Sequence, residues 1–469
     1  MTFIAWGGTH GKAVLRLVGC LVVLVSLSAL NSCSSSTTTA ASSDIPTAGP
    51  AATTQWVVGW GAPGENALSA VANPGGSEQS FRFIVLPTTD GTEERVHLSN
   101  RLSTAPITIG AARIAAAVGV GPSIDSTRDA ALTFNSSASV TIPAGQEVVS
   151  DPVKITYAFG EKLAVSVYLQ GSFGALTEHV SEVQINFKTA VGAGNTTTDT
   201  TGTSFGTTST DWLMVTGVDV YGSYQGTVAV FGSSSVDGHN SGFGDTNSYP
   251  TANVAVPGQD NDRPSDWLAR QLRTAGYRMG VLNAGAIADP AGEDANTAAG
   301  TSIAGVDRMQ HDVLQQSGIK AVVIYFGGVD LRADCVPATD VEASLTNMVQ
   351  QAQTAGIRVI LATLPPSEYC TTSAANLVPS TADPYAGDLI PGPENPGSTQ
   401  RRALNTWILG TGSTLPGVVA IADFDKTMAD PTHPDFMVPS LNSGDNFHPN
   451  GVGYGVQSTA IPLSSILGQ

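Results

Sequence analysis

The sequence predicts an all-β sandwich of the jelly-roll kind, followed by an α/β domain with a parallel sheet. Short alternating or apolar segments, with turn residues between them, fill residues 56 to about 220, which is typical of a sandwich. After Gly226, apolar segments alternate with segments of helical periodicity, which indicates a parallel sheet covered by helices on both faces. We therefore expect a β-sandwich domain over residues 56–221 and an α/β domain over residues 222–469.

The amino-terminal segment predicts export. Lys12 and Arg16 precede an apolar run that has about the length of the hydrophobic region of a signal peptide and is too short for a comfortable membrane span. The run ends in L-N-S-C, which resembles a bacterial lipoprotein box, so residues 1–32 are expected to be a signal peptide and Cys33 to carry lipid. Plain secretion and an uncleaved anchor are the alternatives. Residues 33–55, rich in Ser, Thr and Ala, are expected to form a flexible tether.

Composition excludes several classes of partner. The 469 residues include 21 basic and 39 acidic side chains, a net charge of -18, which argues against nucleic acid or an acidic lipid surface as a partner. We expect the protein to contact a membrane only through the lipid on Cys33. The seven histidines do not cluster with cysteines at metal-site spacing, so neither a metal nor another cofactor is expected.

Individual elements follow from the same patterns. In the first part we expect a loop over the Gly/Thr-rich residues 190–204 and a last strand over residues 212–220. In the second part the apolar segments predict strands at residues 227–231, 279–283, 321–326, 357–363 and 418–422. Helical segments are expected at residues 266–276, 305–318 and 341–356 and from about Gly451 onward.

Two cysteines remain once the signal peptide and the lipid site are set aside. Cys335 and Cys370 each lie a few residues after a predicted strand, on the same edge of the sheet. Because an exported protein meets an oxidising compartment, we predict that they form a disulfide.

A run of serines directly follows the first strand of the predicted parallel sheet. V-A-V-F-G-S-S-S-V-D-G covers residues 228–238, and in such sheets function lies at the carboxyl ends of the strands. A serine nucleophile is one interpretation, and an ordinary Ser-rich turn is the other. A nucleophilic serine needs a base and an acid that orients it. D-N-F-H-P offers both as Asp445 and His448, and it runs into a predicted helix.

A second copy of this acid-histidine spacing competes for the role of base. D-P-T-H-P places Asp430 and His433 at the same separation, but prolines stiffen it within a long loop. We therefore favour His448.

These motifs resemble those of the SGNH (GDSL-type) ester hydrolases. The first family block is matched by Gly232 to Gly238 and the last by Asp445, His448 and Pro449. The preceding strands, such as W-V-V-G-W-G-A-P and L-A-V-S-V-Y-L, look like the sandwich that precedes the hydrolase domain in one secreted bacterial branch. The resemblance implies a flavodoxin-like, three-layer α/β domain in which Ser234 is the nucleophile, His448 the base and Asp445 the orienting acid.

The resemblance also implies an oxyanion hole, and here the chain departs from the family. Its donors would be the backbone N–H groups of Ser234 and Ala288, the latter standing where the family has glycine, and an asparagine side chain. Val329 occupies the asparagine position and donates nothing, while a shift of one residue would place Asp330 there instead. Loss of one such donor typically lowers turnover about 100- to 1000-fold.

Two functions follow as expectations. The first is an exported serine ester hydrolase of the esterase or lipase type, acting on carbohydrate or lipid esters with activity reduced by Val329. The second is a degenerate surface lipoprotein that binds glycan or cell-wall ligands without turnover. The loops at residues 364–400 and 423–445 are expected to build the substrate pocket.

Overall fold

The computed structural model describes residues 50–65, 73–180, 183–241, 261–292, 303–332, 335–367 and 396–468, all within one compact unit. The signal peptide, Cys33 and most of the tether lie outside the described residues, so these assignments stay predictions. Within the described ranges no helix is both long enough and apolar enough to cross a membrane.

The first part of the chain is made of strands. They are β1 (Thr53–Gly61), β2 (Gly76–Val85), β3 (Glu94–Ser99), β4 (Ile107–Ala117), β5 (Ile124–Ala131), β6 (Val140–Ile142), β7 (Glu147–Val149), β8 (Leu163–Phe173), β9 (Glu178–His179), β10 (Asn186–Lys188), β11 (Thr207–Ser209), β12 (Trp212–Leu213) and β13 (Val215–Tyr224).

These strands form antiparallel sheets that share one core. One sheet has the order β1-β13-β3-β7, the larger has the order β11-β10-β2-β8-β4-β5 with β6 beside β4, and β12 pairs with β9. Trp60 and Leu98 of the first sheet lie in the same buried cluster as Phe83 and Val165 of the second. The predicted all-β region is therefore confirmed as packed antiparallel sheets.

Alternation explains how one face of a strand becomes core. In β3 the side chains of Val96 and Leu98 are fully buried, while those of Arg95 and His97 are partly exposed. Residues 190–204 contain neither helix nor strand, as predicted. The predicted last strand at residues 212–220 is instead split in two, because Met214 has a left-handed backbone with φ of 55° that interrupts the pairing.

The second part alternates strands and helices. Its strands are β14 (Gly226–Gly232), β15 (Met279–Gly285), β16 (Ile319–Tyr325), β17 (Arg358–Ala362) and β18 (Val418–Ala422). Its α-helices are α1 (Ser234–Asp237), α2 (Pro264–Thr274), α3 (Gly305–Met309), α4 (Gly328–Arg332), α5 (Ala338–Thr354), α6 (Pro396–Leu409), α7 (Phe424–Met428), α8 (Gly451–Ser458) and α9 (Leu463–Leu467).

The five strands described for this second part lie in one parallel sheet, in the order β15-β14-β16-β17-β18. Each predicted strand is confirmed with its ends shifted by no more than a few residues. The helix predicted at residues 305–318 is shorter, because α3 passes into a π-helix at Gln310–Leu314. In this segment Arg308 donates a hydrogen bond to Asp312 at 3.2 Å, while the neighbouring His311 lies 2.8 Å from Glu147 of β7.

The two parts are joined directly by hydrogen bonds. The N–H of Val58 in β1 donates to the Thr227 hydroxyl of β14 at 3.0 Å, and the N–H of Val281 in β15 donates to the Thr88 hydroxyl at 2.9 Å. The assignment of the two parts as separate domains stays a prediction.

Candidate active site

The carboxyl ends of three adjacent strands form the floor of the site. Gly232, which ends β14, is paired with Gly285 of β15 and with Tyr325 of β16. The segments carrying Ser234, Ala288 and Val329 follow these strands in turn, so the topology brings all three to one edge of the sheet.

Ser234 begins the short helix α1, and the end of β15 helps to place that helix. The side-chain amide of Asn283 donates to the carbonyl oxygen of Val236 in α1 at 2.8 Å. A Cβ at Gly285 would lie 2.1 Å from the backbone nitrogen of Asp237, so this close approach requires glycine. Ser234 is buried, with 5% of its surface exposed.

A serine, a histidine and an aspartate form a continuous hydrogen-bonded chain. Ser234 Oγ lies 2.9 Å from His448 Nε2, and His448 Nδ1 lies 2.5 Å from Asp445 Oδ2. Ser234 and His448 are separated by 214 residues in sequence, so the contact depends on the whole α/β fold. With Nδ1 donating to the carboxylate, Nε2 is free to accept the serine proton, which is the arrangement that general-base activation of a hydroxyl requires.

Asp445 is held by several further donors. Its Oδ1 accepts hydrogen bonds from the backbone N–H groups of Phe447 and His448, at 2.9 and 2.7 Å, and from the Ser443 hydroxyl at 3.0 Å. Its Oδ2 also accepts one from the Asn240 amide at 3.3 Å. The carboxylate therefore keeps a fixed orientation and a stabilised negative charge.

The electrostatics of the pair favour a neutral imidazole and an ionised carboxylate. Burial lowers the pKa of His448 to about 4, although the charge of Asp445 opposes the shift. Burial acts to raise the pKa of Asp445, but the charge and hydrogen bonds of His448, together with the Arg332 guanidinium, bring it below its usual range. At neutral pH His448 is consequently an unprotonated base.

Ala288 occupies a turn after β15 with a left-handed backbone, at φ of 55°. This conformation favours glycine, which agrees with the glycine that the family resemblance implies at this position. Alanine retains the backbone N–H. The assignment of Ser234 and Ala288 as oxyanion donors stays a prediction.

Val329 lies in α4 and is half-buried. Its hydrocarbon side chain offers no donor. Asp330 does not take over the asparagine role, because both of its carboxylate oxygens accept a hydrogen bond from the N–H of Ala291, at 2.9 and 3.1 Å. The side chain of Asp330 therefore supports the loop that follows Ala288.

A buried arginine links the ends of two strands beneath the site. The Arg308 guanidinium donates to the carbonyl oxygens of Gly232 at 2.7 Å and Ala284 at 3.0 Å, and it pairs with Asp289 at 2.5 Å. It also lies over the Phe231 ring, at 4.5 Å from the centroid. No local pattern in the sequence predicts this role of Arg308, because a charged residue on an amphipathic helix ordinarily lies at the surface.

The competing copy of the motif has a different environment. The His433 side chain is 49% exposed, and its Nδ1 lies 3.7 Å from Asp430 Oδ1, whereas the base on Ser234 is His448. Cys370 and residues 368–395 of the expected pocket loop lie outside the described residues. The Cys335–Cys370 disulfide therefore stays a prediction.

One protein family matches the second part of the chain. Residues 230–456 match the GDSL-like Lipase/Acylhydrolase family. No curated protein shows significant similarity to the chain.

Three solved structures are among those to which the chain is similar. A family two carbohydrate esterase from Clostridium thermocellum, in complex with cellohexaose, has 11% identity and a TM-score of 0.36 over 86% of this chain and 97% of that one. A family two carbohydrate esterase from Cellvibrio japonicus has 10% identity and a TM-score of 0.33 over 89% of this chain and 98% of that one. An acetyl-xylooligosaccharide esterase from Geobacillus has 14% identity and a TM-score of 0.34 over 52% of this chain and 95% of that one.

Proposed function

Residues 230–456 of this chain form a hydrolase domain of the GDSL (SGNH) family, and from that premise we propose that the protein is an exported serine ester hydrolase. The observation that carries the proposal is the chain of hydrogen bonds from Ser234 through His448 to Asp445, at 2.9 and 2.5 Å. Its substrates are proposed to be carbohydrate or lipid esters.

Acylation begins with Ser234. Its Oγ attacks the ester carbonyl carbon while its proton passes to His448 Nε2, and the negative carboxylate of Asp445 stabilises the resulting imidazolium. The oxyanion that forms is placed against the backbone N–H groups of Ser234 and Ala288. When the intermediate collapses, the bond to the alcohol oxygen breaks and His448 returns the proton to the departing alcohol.

Deacylation repeats the cycle with water. His448 removes a proton from water as its oxygen attacks the acyl carbon, and the second tetrahedral intermediate collapses with release of Ser234 Oγ. The proton on His448 then returns to the serine oxygen. The acid product leaves, and the site is restored without a cofactor.

A second candidate function rests on Val329. Because a side-chain donor is missing from the predicted oxyanion hole, the domain would bind esters without turning them over. In that case the protein is a surface-displayed receptor for glycan or cell-wall ligands.

Matched substitutions of the two histidines test the enzyme proposal. We expect the full-length protein to hydrolyse short- or long-chain 4-nitrophenyl esters or an acetylated sugar, and Ser234→Ala and His448→Ala each to reduce the rate about 1000-fold or more. His433→Ala is the control and should retain most of the activity. If the wild-type protein hydrolyses none of these esters faster than Ser234→Ala does, binding without turnover becomes the better account.

Export and lipidation complete the proposal. The apolar run and the lipobox-like L-N-S-C support them. Mass spectrometry of the mature amino terminus tests this point, with a lipid-modified Cys33 as the expected result and an unmodified terminus beyond Cys33 as the contradicting one.

A further inference from the structure

Two buried ionisable residues of the first part of the chain reach the candidate active site. Glu65 follows β1 and His179 ends β9, and they are only 4% and 1% exposed. Backbone hydrogen bonds tie their segments together, since the N–H of Glu65 donates to the carbonyl oxygen of Glu178 at 2.6 Å. Neither residue belongs to the motifs of the hydrolase domain.

His179 contacts the helix that carries the nucleophile. Its Nε2 lies 3.0 Å from Asp237 Oδ1, and Asp237 is the last residue of α1, which begins at Ser234. Its Nδ1 lies 2.9 Å from the carbonyl oxygen of Pro63. The imidazole therefore connects the segment after β1 to the far end of α1.

Glu65 contacts the other side of the predicted oxyanion hole. Its Oε1 accepts a hydrogen bond from the N–H of Ile287 at 2.8 Å, and Ile287 directly precedes Ala288. The same oxygen lies 3.8 Å from Nδ1 of His179. One contiguous group of side chains thus reaches both α1 and the turn after β15.

The hydrogen-bond partners define the protonation state of His179. A carbonyl oxygen can only accept, so Nδ1 carries a proton, and an acceptor carboxylate of Asp237 requires a proton on Nε2 as well. Burial acts to lower the pKa of His179, but the charge and hydrogen bond of Asp237, the charge of Glu65 and the carbonyl of Pro63 raise it overall. His179 is accordingly an imidazolium in a buried cluster.

We propose that Glu65 and His179 are positioning residues that fix the backbone N–H groups of Ser234 and Ala288 for oxyanion binding. The inference rests on the proposed hydrolase function and deepens it. Through Glu65 and His179 the β part becomes a component of the reaction centre. Because the structure assigns no side-chain donor to Val329, transition-state stabilisation depends on the backbone donors, whose placement this cluster controls.

The test compares removal with conservative replacement in the full-length protein. Glu65→Ala removes the acceptor for Ile287, and we expect kcat to fall about 10- to 100-fold with KM changed less than about 3-fold. Glu65→Gln keeps an oxygen acceptor and should restore kcat to within about 3-fold of the wild type. His179→Ala should resemble Glu65→Ala.

His97 provides a matched control. Its Nε2 lies 2.8 Å from Asp219 Oδ2, a pair similar to that of His179, but Ser317 beside it precedes β16 and so lies at the opposite edge of the parallel sheet. His97→Ala should leave kcat within about 2-fold of the wild type even where it lowers the melting temperature. Equal losses of kcat in folded His97→Ala and Glu65→Ala, or no rescue by Glu65→Gln, would overturn the inference.

Two further measurements separate this inference from the proposed function. The rate at which a fluorophosphonate modifies Ser234 reports on the hole without ester turnover, and it should fall about 10-fold in Glu65→Ala. A wild-type protein that neither hydrolyses esters nor reacts at Ser234 contradicts the proposed function itself. If Glu65→Ala does not fold, kcat and KM are compared between His179→Ala and His97→Ala, and equal values of kcat in these two folded variants would overturn the inference.

Discussion

His448 is the residue whose environment sets the pH range of the site. Its ring is enclosed by the rings of His239 and Phe447, with centroids 4.6 and 4.4 Å away. This enclosure withholds water from the imidazolium, which is why the pKa of His448 falls to about 4. A base with so low a pKa is a weak proton acceptor, but it is unprotonated over nearly the whole pH range.

The acid limb of activity follows from that shift. Because only neutral His448 accepts the serine proton, kcat/KM should stay level down to about pH 5 and fall about tenfold per pH unit below pH 4. The measurement is kcat/KM from pH 3.5 to 8 at constant ionic strength. An acid midpoint near 6.5, the ordinary histidine value, contradicts the assignment.

Folding must be followed over the same range. The lowered pKa means that the unfolded chain binds a proton at His448 before the folded protein does, so stability falls as the pH drops from 6.5 towards 4. Circular dichroism at each pH separates this loss from the loss of the base.

Val329 is the second residue that decides activity. Val329→Asn places an amide donor on α4, and we expect kcat to rise about 10- to 1000-fold, which corresponds to about 1.4 to 4 kcal/mol of transition-state stabilisation. The gain is expected in kcat rather than in KM, because the negative charge on the oxygen is largest in the transition state. Thermal melting checks that the variant is folded, and Val329→Leu, which adds no donor, is the control.

At the scale of elements, the sequence allows the strands of the parallel sheet to be predicted closely. Each contains a short apolar run, and β14 and β16 are almost entirely buried, so that pattern and structure coincide. Helices α4 and α7 have only five residues each, too few to show a period. Helix α6 begins in P-G-S-T, a composition that indicates a loop.

The same contrast between local pattern and tertiary contact explains which site residues could be predicted from the sequence. Ser234 and His448 lie in motifs whose local spacing suggests chemistry, so their pairing could be predicted before the fold was known. Glu65 and Asn240 carry no such local signal. Their roles arise from contacts across 222 residues to Ile287 and 205 residues to Asp445, which only the tertiary fold creates.

At the scale of the whole molecule, contacts between the β part and the α/β part occur at both edges of the parallel sheet. Glu65 and His179 meet the carboxyl edge, while Arg95 and Asp219 meet Ser317 before β16. The β part therefore contacts the α/β part on more than one side of the parallel sheet.

His311 forms another such contact, and its charge makes the contact depend on pH. Its Nε2 lies 2.8 Å from Glu147 Oε2 of β7, and its Nδ1 lies 2.6 Å from Asp312 Oδ1. Hydrogen bonds to Asp312 and Glu147 raise the pKa of His311 to about 9, although partial burial opposes the shift. The imidazolium thus bridges β7 to the π-helix of the α/β part.

The raised pKa predicts a loss of stability at alkaline pH. The contribution of His311 is fully present below its unfolded pKa of about 6.5 and disappears as the pH rises through about 9. Since the side chain is 31% exposed and therefore partly screened by solvent, we expect the charge of His311 to contribute roughly 1 to 2 kcal/mol to the free energy of unfolding.

The free energy of unfolding should be measured for wild type and His311→Asn from pH 6 to 10, so that titrations common to both cancel. The difference should shrink towards pH 10. A difference that stays constant with pH would mean that His311 contributes by packing alone.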